Sequence, residues 1–458
     1  MKKSRMYVVC SLLLVLSLML AACGGTEGGT TTQPTAEAVA TEGGTETEPT
    51  AETEPEATTE GGEEGGAVEG GTAAADWTCP EGDHTVTLWH GWQGEYFTAI
   101  EQVFADYQAT CPNITVELLE KPDLSNAVTA AVPAGEGPDI LAWVNDQIGR
   151  NAETGIIAPV TQYIDADEFN STYVGPAVQA VTYNDEVWAF PESMEALTFI
   201  YNKDLISEEE LPQNTDELLE MAASWDKSEY LFVYNARNDA YFSAPWWNAA
   251  GVTVVDEEGT TNFAENGEAA GEFIRSLTEH MPAEIDYGIA DTLFKEGKAA
   301  IIMNGPWYIA DLEPAGIDYG LATIPTFSPS GEPGKPFVGV KVVMLTTNAE
   351  ERGTAEAAVN IMQFYTRAEA QVALAEANKM VPTNTEAAAD SAVMELSDVA
   401  AFSAQADLGT ALPNTPFMNA MWDPMAKGVE CIWTGTNEVA DCITQIQTLA
   451  EENIEGMK

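Results

Sequence analysis

Basic residues are scarce in this 458-residue chain: 18 Lys and Arg stand against 74 Asp and Glu, a formal net charge of -56. Binding nucleic acid needs clustered Lys and Arg to neutralise phosphates, so nucleic acid is excluded as a partner. The same shortage argues against electrostatic adhesion to an anionic bilayer. Only three histidines are present, His84, His90 and His280, too few for a His-rich metal centre, and no metal or cofactor is expected. No Ser-His-Asp arrangement or metal-ligand spacing appears either. Long apolar runs are missing beyond residue 20, which leaves no second membrane span. What is plentiful is core material: 45% of residues are hydrophobic, with 11 Trp, 14 Tyr and 15 Phe. A chain so composed is not disordered as a whole.

The N-terminus reads as an export signal. Lys2, Lys3 and Arg5 precede the apolar run Met6–Met19, which has the length of a signal-peptide core and is short for a spanning helix. It ends in Leu20-Ala21-Ala22-Cys23, which resembles a bacterial lipobox. That resemblance implies cleavage after residue 22 and lipidation of Cys23, whose acyl chains together give stable attachment. The expected location is the outer face of the cell membrane, with contact to the bilayer only through the lipid. Residues 23–75 form an acidic tether of Gly, Thr, Glu, Ala and Pro with 12 glutamates, no basic residue and no aromatic. Such a composition cannot bury enough apolar area to offset the cost of ordering its backbone.

Removal of Cys10 with the signal and lipidation of Cys23 leave Cys79, Cys111, Cys431 and Cys442. An even number in an exported domain suggests two disulfides. Of three connectivities, Cys79–Cys111 and Cys431–Cys442 are preferred. The first pair precedes two expected neighbouring strands, and the second brackets a Thr-Gly-Thr-Asn turn between helical segments.

Residues 76–458 alternate strand and helix. Strands are expected at Thr85–Trp89, Ile114–Leu119, Asp139–Val144, Leu197–Tyr201, Leu231–Tyr234 and Ala299–Met303. Between them lie helical patterns at Tyr96–Tyr107, with Phe97, Ile100, Val103, Phe104 and Tyr107 on one face, and at Ala269–His280. Asp286–Ala290 opens a further helix, with Asp291 near its N-terminus. From Arg352 onward the chain reads as mostly helical. The alternation predicts an α/β protein with parallel, doubly wound sheets.

Aromatic residues fall where such sheets bind ligands, beyond the carboxyl ends of strands. Trp143 and Asp146 close one strand, Tyr241 and Trp307 follow two others, Glu195 lies where a Pro-interrupted segment re-enters a strand, and Trp422 opens a helix after the Pro413/Pro416 turn. A flat ring beside a carboxylate suits a sugar, whose C–H face stacks while its hydroxyls donate to acceptor-only oxygens. Trp246 and Trp247 read as packing.

Nine ordered stretches then resemble the extracellular solute-binding proteins of carbohydrate ABC importers, in particular their maltose/maltodextrin-binding members. They include Gly137-Pro138-Asp139-Ile140 with Trp143, Ser193-Met194-Glu195-Ala196-Leu197, Ile200-Tyr201-Asn202-Lys203-Asp204-Leu205, Asn304-Gly305-Pro306-Trp307 and Pro336-Phe337-Val338-Gly339-Val340. The resemblance implies a two-lobed periplasmic-binding-protein fold of type II, with a hinge and an interlobe cleft. Residues 84–193 plus 343–388 would form the N-terminal lobe, and 198–336 plus 394–458 the C-terminal lobe. It implies a monomeric receptor, not an enzyme, that passes an α-glucan to permease subunits. Carried over by position, the stacking rings are Trp143, Tyr241, Trp307 and Trp422, and the hydroxyl-binding carboxylates are Asp146, Glu195 and Asp239. Trp92 and Gln93 of the shortened first loop join them. Gln147 replaces the family's arginine, and a second arginine is lost within Asp423–Lys427, changes that remove bidentate donors. Alternatives are a receptor for trehalose, a β-linked oligosaccharide or a polyol, or a secreted glycosidase using Glu195 with Asp239 or Asp146.

Overall fold

A computed structural model describes residues 71–312 and 314–458. The export signal, Cys23 and most of the expected tether lie outside the described residues. Residues 71–75, assigned to that tether, instead run along the helix Gly94–Thr110. The Thr72 amide donates to Asp106 Oδ1 (2.7 Å) and the Ala74 amide to Thr110 Oγ1 (2.8 Å).

The strands are β1 (His84–His90), β2 (Ile114–Glu120), β3 (Ile140–Val144), β4 (Thr182–Tyr183), β5 (Glu186–Val187), β6 (Ala189–Glu195), β7 (Thr198–Asn202), β8 (Tyr230–Val233), β9 (Ala299–Asn304), β10 (Tyr319–Ala322), β11 (Phe337–Leu345), β12 (Val381–Pro382) and β13 (Thr410–Ala411). One sheet has the order β12-β6-β11-β3-β1-β2, with β13 on β11, and a second the order β10-β7-β9-β8; β4 and β5 make a small hairpin. In the first, β2, β1 and β3 are parallel, as crossover helices require. The sheets are nevertheless mixed, not parallel throughout. β11 arrives from the second sheet and lies antiparallel to both β3 and β6, and β7 lies antiparallel to β9 and β10.

Each sheet carries its own core. Val86, Leu88, Ile100, Phe104, Ile140 and Val343 belong to one, and Phe199, Phe232, Ile274, Ile301 and Phe327 to the other. The helix Glu268–Leu277 shows why its sequence docks: Ala270, Gly271, Phe273, Ile274 and Leu277 recur at the spacing of one face, and all are buried. Trp246 and Trp247 are completely buried, as packing residues should be. The chain passes between the sheets at Ala196-Leu197, from β6 to β7, and again in residues 323–336, from β10 to β11.

In the helix Gly94–Thr110 the expected Ile100, Val103, Phe104 and Tyr107 are buried, joined by Tyr96, while Phe97 is only partly buried, stacked on His90 at 4.7 Å. Asp286 caps the helix Tyr287–Lys295, accepting from the Ile289 amide at 2.8 Å, and Asp291, expected near that N-terminus, lies beyond the first turn and pairs with Lys295. Cys79–Cys111 and Cys431–Cys442 are both bonded. Among the described residues, no helix is long and apolar enough to cross a membrane.

Candidate functional site

The order β2-β1-β3 puts a switch point beside β1, and a cavity of about 1040 Å³ opens there, past the carboxyl ends of these strands. Gly91, Trp92 and Gln93 follow β1, Lys121–Ser125 follow β2, and Asp146 follows β3. From the second sheet come Asp239 and Tyr241 after β8, and Trp307 after β9. Every site residue expected from the sequence lines this one cavity: Trp92, Gln93, Trp143, Asp146, Glu195, Asp239, Tyr241, Trp307 and Trp422.

Burial separates the ring types. Trp143, Tyr241, Trp307 and Trp422 are all half-buried, whereas Trp246 and Trp247 are sealed. Tyr241 lies 6.2 Å from Trp307, and buried Phe337 touches both Tyr241 (6.5 Å) and Trp422 (6.1 Å), so two of the rings share one support. Trp307 packs against both cores. Gly305 makes room for it: a Cβ there would lie 2.2 Å from the indole. Trp92 is more enclosed, stacked on His90 at 4.8 Å, and exposed Gln93 donates to Glu120 Oε1.

The carboxylates differ in what they have left to offer. Asp146 Oδ2 accepts from Gln147 Nε2 (2.7 Å) and Trp422 Nε1 (3.0 Å), and Asn419 Nδ2 donates to the Asp146 carbonyl. The glutamine in the family's arginine position thus serves Asp146 directly. Asp239 caps the helix Ala240–Ala249 through the Phe242 amide (2.9 Å) and accepts from Asn235 Nδ2 (2.8 Å), so much of its capacity is spent. Glu195 Oε2 is buried without a hydrogen-bond partner; Lys341 Nζ stands 3.2 Å away, near enough for an ion pair but not aligned to donate. The Tyr241 hydroxyl is likewise buried and unpartnered. An acceptor and a hydroxyl so placed at a cavity are handles for a polyhydroxy ligand.

Burial pushes Asp146 up to about 7 against the two hydrogen bonds that favour its charge. It pushes Glu192 up to about 7 as well, although Lys341 opposes the shift. Between an ordinary value near 3.8 and about 7, folded Asp146 holds a proton that the unfolded chain has released. Its contribution to stability therefore declines as pH rises through that window. Urea unfolding from about pH 5 to about pH 8 is expected to show a falling midpoint, and Asp146→Asn to flatten the fall. Equal slopes in both proteins would remove Asp146 as its source.

Sequence reasoning missed Lys341, Glu192 and Tyr96. The available signal was an isolated lysine inside the apolar run of Phe337–Leu345. Among the described residues, no cluster of three or more His, Cys, Asp or Glu could hold a metal.

A profile of the bacterial extracellular solute-binding proteins matches residues 102–401. The maltotriose-binding protein of Pyrococcus abyssi is 31% identical over 280 residues, 60% of this chain and 61% of that protein. The match therefore spans less than two thirds of that relative's length. The galactooligosaccharide-binding protein of Bacillus subtilis is 26% identical over 363 residues, 75% of this chain and 84% of that one. Among solved structures, the maltose/maltodextrin-binding domain from Bdellovibrio bacteriovorus bound to maltotriose superposes with a TM-score of 0.74 at 27% identity, covering 81% of this chain and all of that one.

Proposed function

The chain belongs to the bacterial extracellular solute-binding proteins, and from that premise we propose that it is the receptor of a carbohydrate ABC importer, binding maltodextrin-type oligosaccharides without altering them. The observation that carries this reading is the gathering of four half-buried rings and two polar atoms without a hydrogen-bond partner, Glu195 Oε2 and the Tyr241 hydroxyl, around one cavity. Trp143, Tyr241, Trp307 and Trp422 would stack on pyranose faces, while Asp146, Glu195 and, to a lesser degree, Asp239 accept from hydroxyls. Trp92 would close the first loop from behind, and Gln93 would stay at the rim.

In this reading residues 84–193 plus 343–388 form one lobe and 198–336 plus 394–458 the other, hinged where the chain changes sheets. Sugar favours the closed arrangement because only there do both lobes touch it. Asn145 Nδ2 bonded to the Leu412 carbonyl (2.9 Å) and Trp422 bonded to Asp146 lie on this closing path. The loaded protein would then dock on permease subunits. Lipidation at Cys23 would hold it at the cell surface on the tether of residues 23–75, raising its local concentration there.

Calorimetric titration with maltotriose, and in parallel with a β-linked galactotriose, tests the reading. Tight binding of the first and release of no glucose on prolonged incubation is the expected result. Hydrolysis would make the protein an enzyme, and preference for galactotriose would assign it the ligand class of the Bacillus relative.

A further inference from the structure

Of the two lysines that line the cavity, Lys121 and Lys341, the second stands beside Trp307. Lys341 lies mid-strand in β11, its side chain only 15% exposed. Burial would lower such an ammonium, but Glu195, Tyr96 and Glu192 outweigh it and hold Lys341 above its ordinary range. Its Nζ donates to the Tyr96 hydroxyl (2.9 Å), which donates onward to Glu192 Oε1 (3.3 Å). The same Nζ lies 4.2 Å from the Tyr96 ring centre and 5.6 Å from that of Trp307.

The backbone explains how two glutamates reach one lysine. In the β6–β11 register Glu195 faces Gly339 and Ser193 faces Lys341, so Glu195 is the diagonal neighbour of Lys341 on one face. Unbroken alternation would turn Glu192 to the opposite face. Instead the register shifts between Lys341 and Val342, whose partner is Pro191, and Glu192 is left as the extra residue of a bulge. The bulge brings Glu192 to the Tyr96 hydroxyl that Lys341 also holds.

We propose that Lys341 is a positioning residue of the sugar site, acting through Glu195: it supplies the counter-charge that holds the Glu195 carboxylate in the cavity lining as an acceptor for a ligand hydroxyl. This rests on the oligosaccharide reading given above. Lys341 does not serve as the main donor itself, since it is largely enclosed and engaged by Tyr96 and Glu195. The titratable groups around it are Tyr96 from the helix Gly94–Thr110, Glu192 and Glu195 from β6, Asp146 beyond β3, Tyr365 from the helix Ala355–Tyr365, and Tyr241 from Ala240–Ala249.

The test is a thermodynamic cycle with maltotriose in the full folded protein. Lys341→Met is expected to weaken binding about tenfold or more. The deficit should also vary with pH, because the cation that opposes the upward push on Glu192 is then gone. Glu195→Gln and the double variant should bind alike, since the lysine then has nothing to act through. Multiplying losses, or a Lys341→Met protein with the parent's affinity and pH profile, would overturn the proposal. If Lys341→Met does not fold, the pair Lys341→Met with Glu192→Leu, which removes one charge of each sign, is compared with Glu192→Leu alone in the same cycle. Binding that needs Trp307 but ignores Lys341 sinks this inference alone. A parent protein that binds no oligosaccharide sinks the functional reading beneath it.

Discussion

Trp307→Ala is expected to weaken oligosaccharide binding by about 2–3 kcal/mol, roughly 30- to 150-fold, the range of a central aromatic anchor. The indole follows β9 at the start of the turn Pro306–Asp311, lies against Gly305, and is the ring that packs against both cores. It thus stands between the two cores, and on the proposed reading its exposed face is the one a pyranose would cover. A ring that only filled space would leave affinity unchanged and lower stability instead. Gly305→Ala gives an independent check. A methyl at that position collides with the indole and must displace it. That variant should therefore lose much of the same affinity, and adding Trp307→Ala to it should cost little more, because both changes remove one contact. Calorimetry and thermal unfolding on the same preparations separate the two readings.

How far the site could be read in advance depends on how local each determinant is. The four cavity rings were legible because each lies just past a strand or at a helix start, positions defined by a few neighbouring residues. The contrast between Trp307 and the sealed Trp246 and Trp247 could be drawn on the same basis. Lys341 was not legible in this way. Its partners stand some 150 and 245 positions away, Glu195 across a sheet register and Tyr96 on a separate helix. Glu192 depends on a bulge that alternation along β6 would not reveal. Asp239 was recognised as a cleft residue, but its cap to Phe242 depends on where the helix begins, and boundaries are the least local feature of a helix. The mixed direction of the sheets has a similar origin. Each βαβ unit was visible, whereas the return of β11 from the other sheet is a property of the whole chain.

Removing the Cys79–Cys111 bond is expected to cost about 3–4 kcal/mol of stability by the loop-entropy argument, since its cysteines are 32 residues apart. The Cys431–Cys442 bond closes a span of 11 and should contribute just under about 3 kcal/mol. The order follows from loop length, but packing reinforces it. Cys111 ends the helix Gly94–Thr110, and the bond clips the segment preceding β1 onto that helix, while Trp77 Nε1 of the same segment donates to Asn360 Oδ1 (3.0 Å) on the helix Ala355–Tyr365. Neither cysteine lines the cavity. Paired Cys→Ala variants should therefore separate stability from function. The Cys79/Cys111 pair should unfold at the lowest denaturant concentration and lose its first residues to protease soonest, while maltotriose affinity stays within about twofold of the parent at temperatures where the protein is folded. A parallel loss of affinity would show that the clip shapes the first loop around Trp92 as well. A larger stability loss from the Cys431/Cys442 pair would show instead that native contacts at the C-terminal helices, and not the closed length of chain, govern what these bonds contribute.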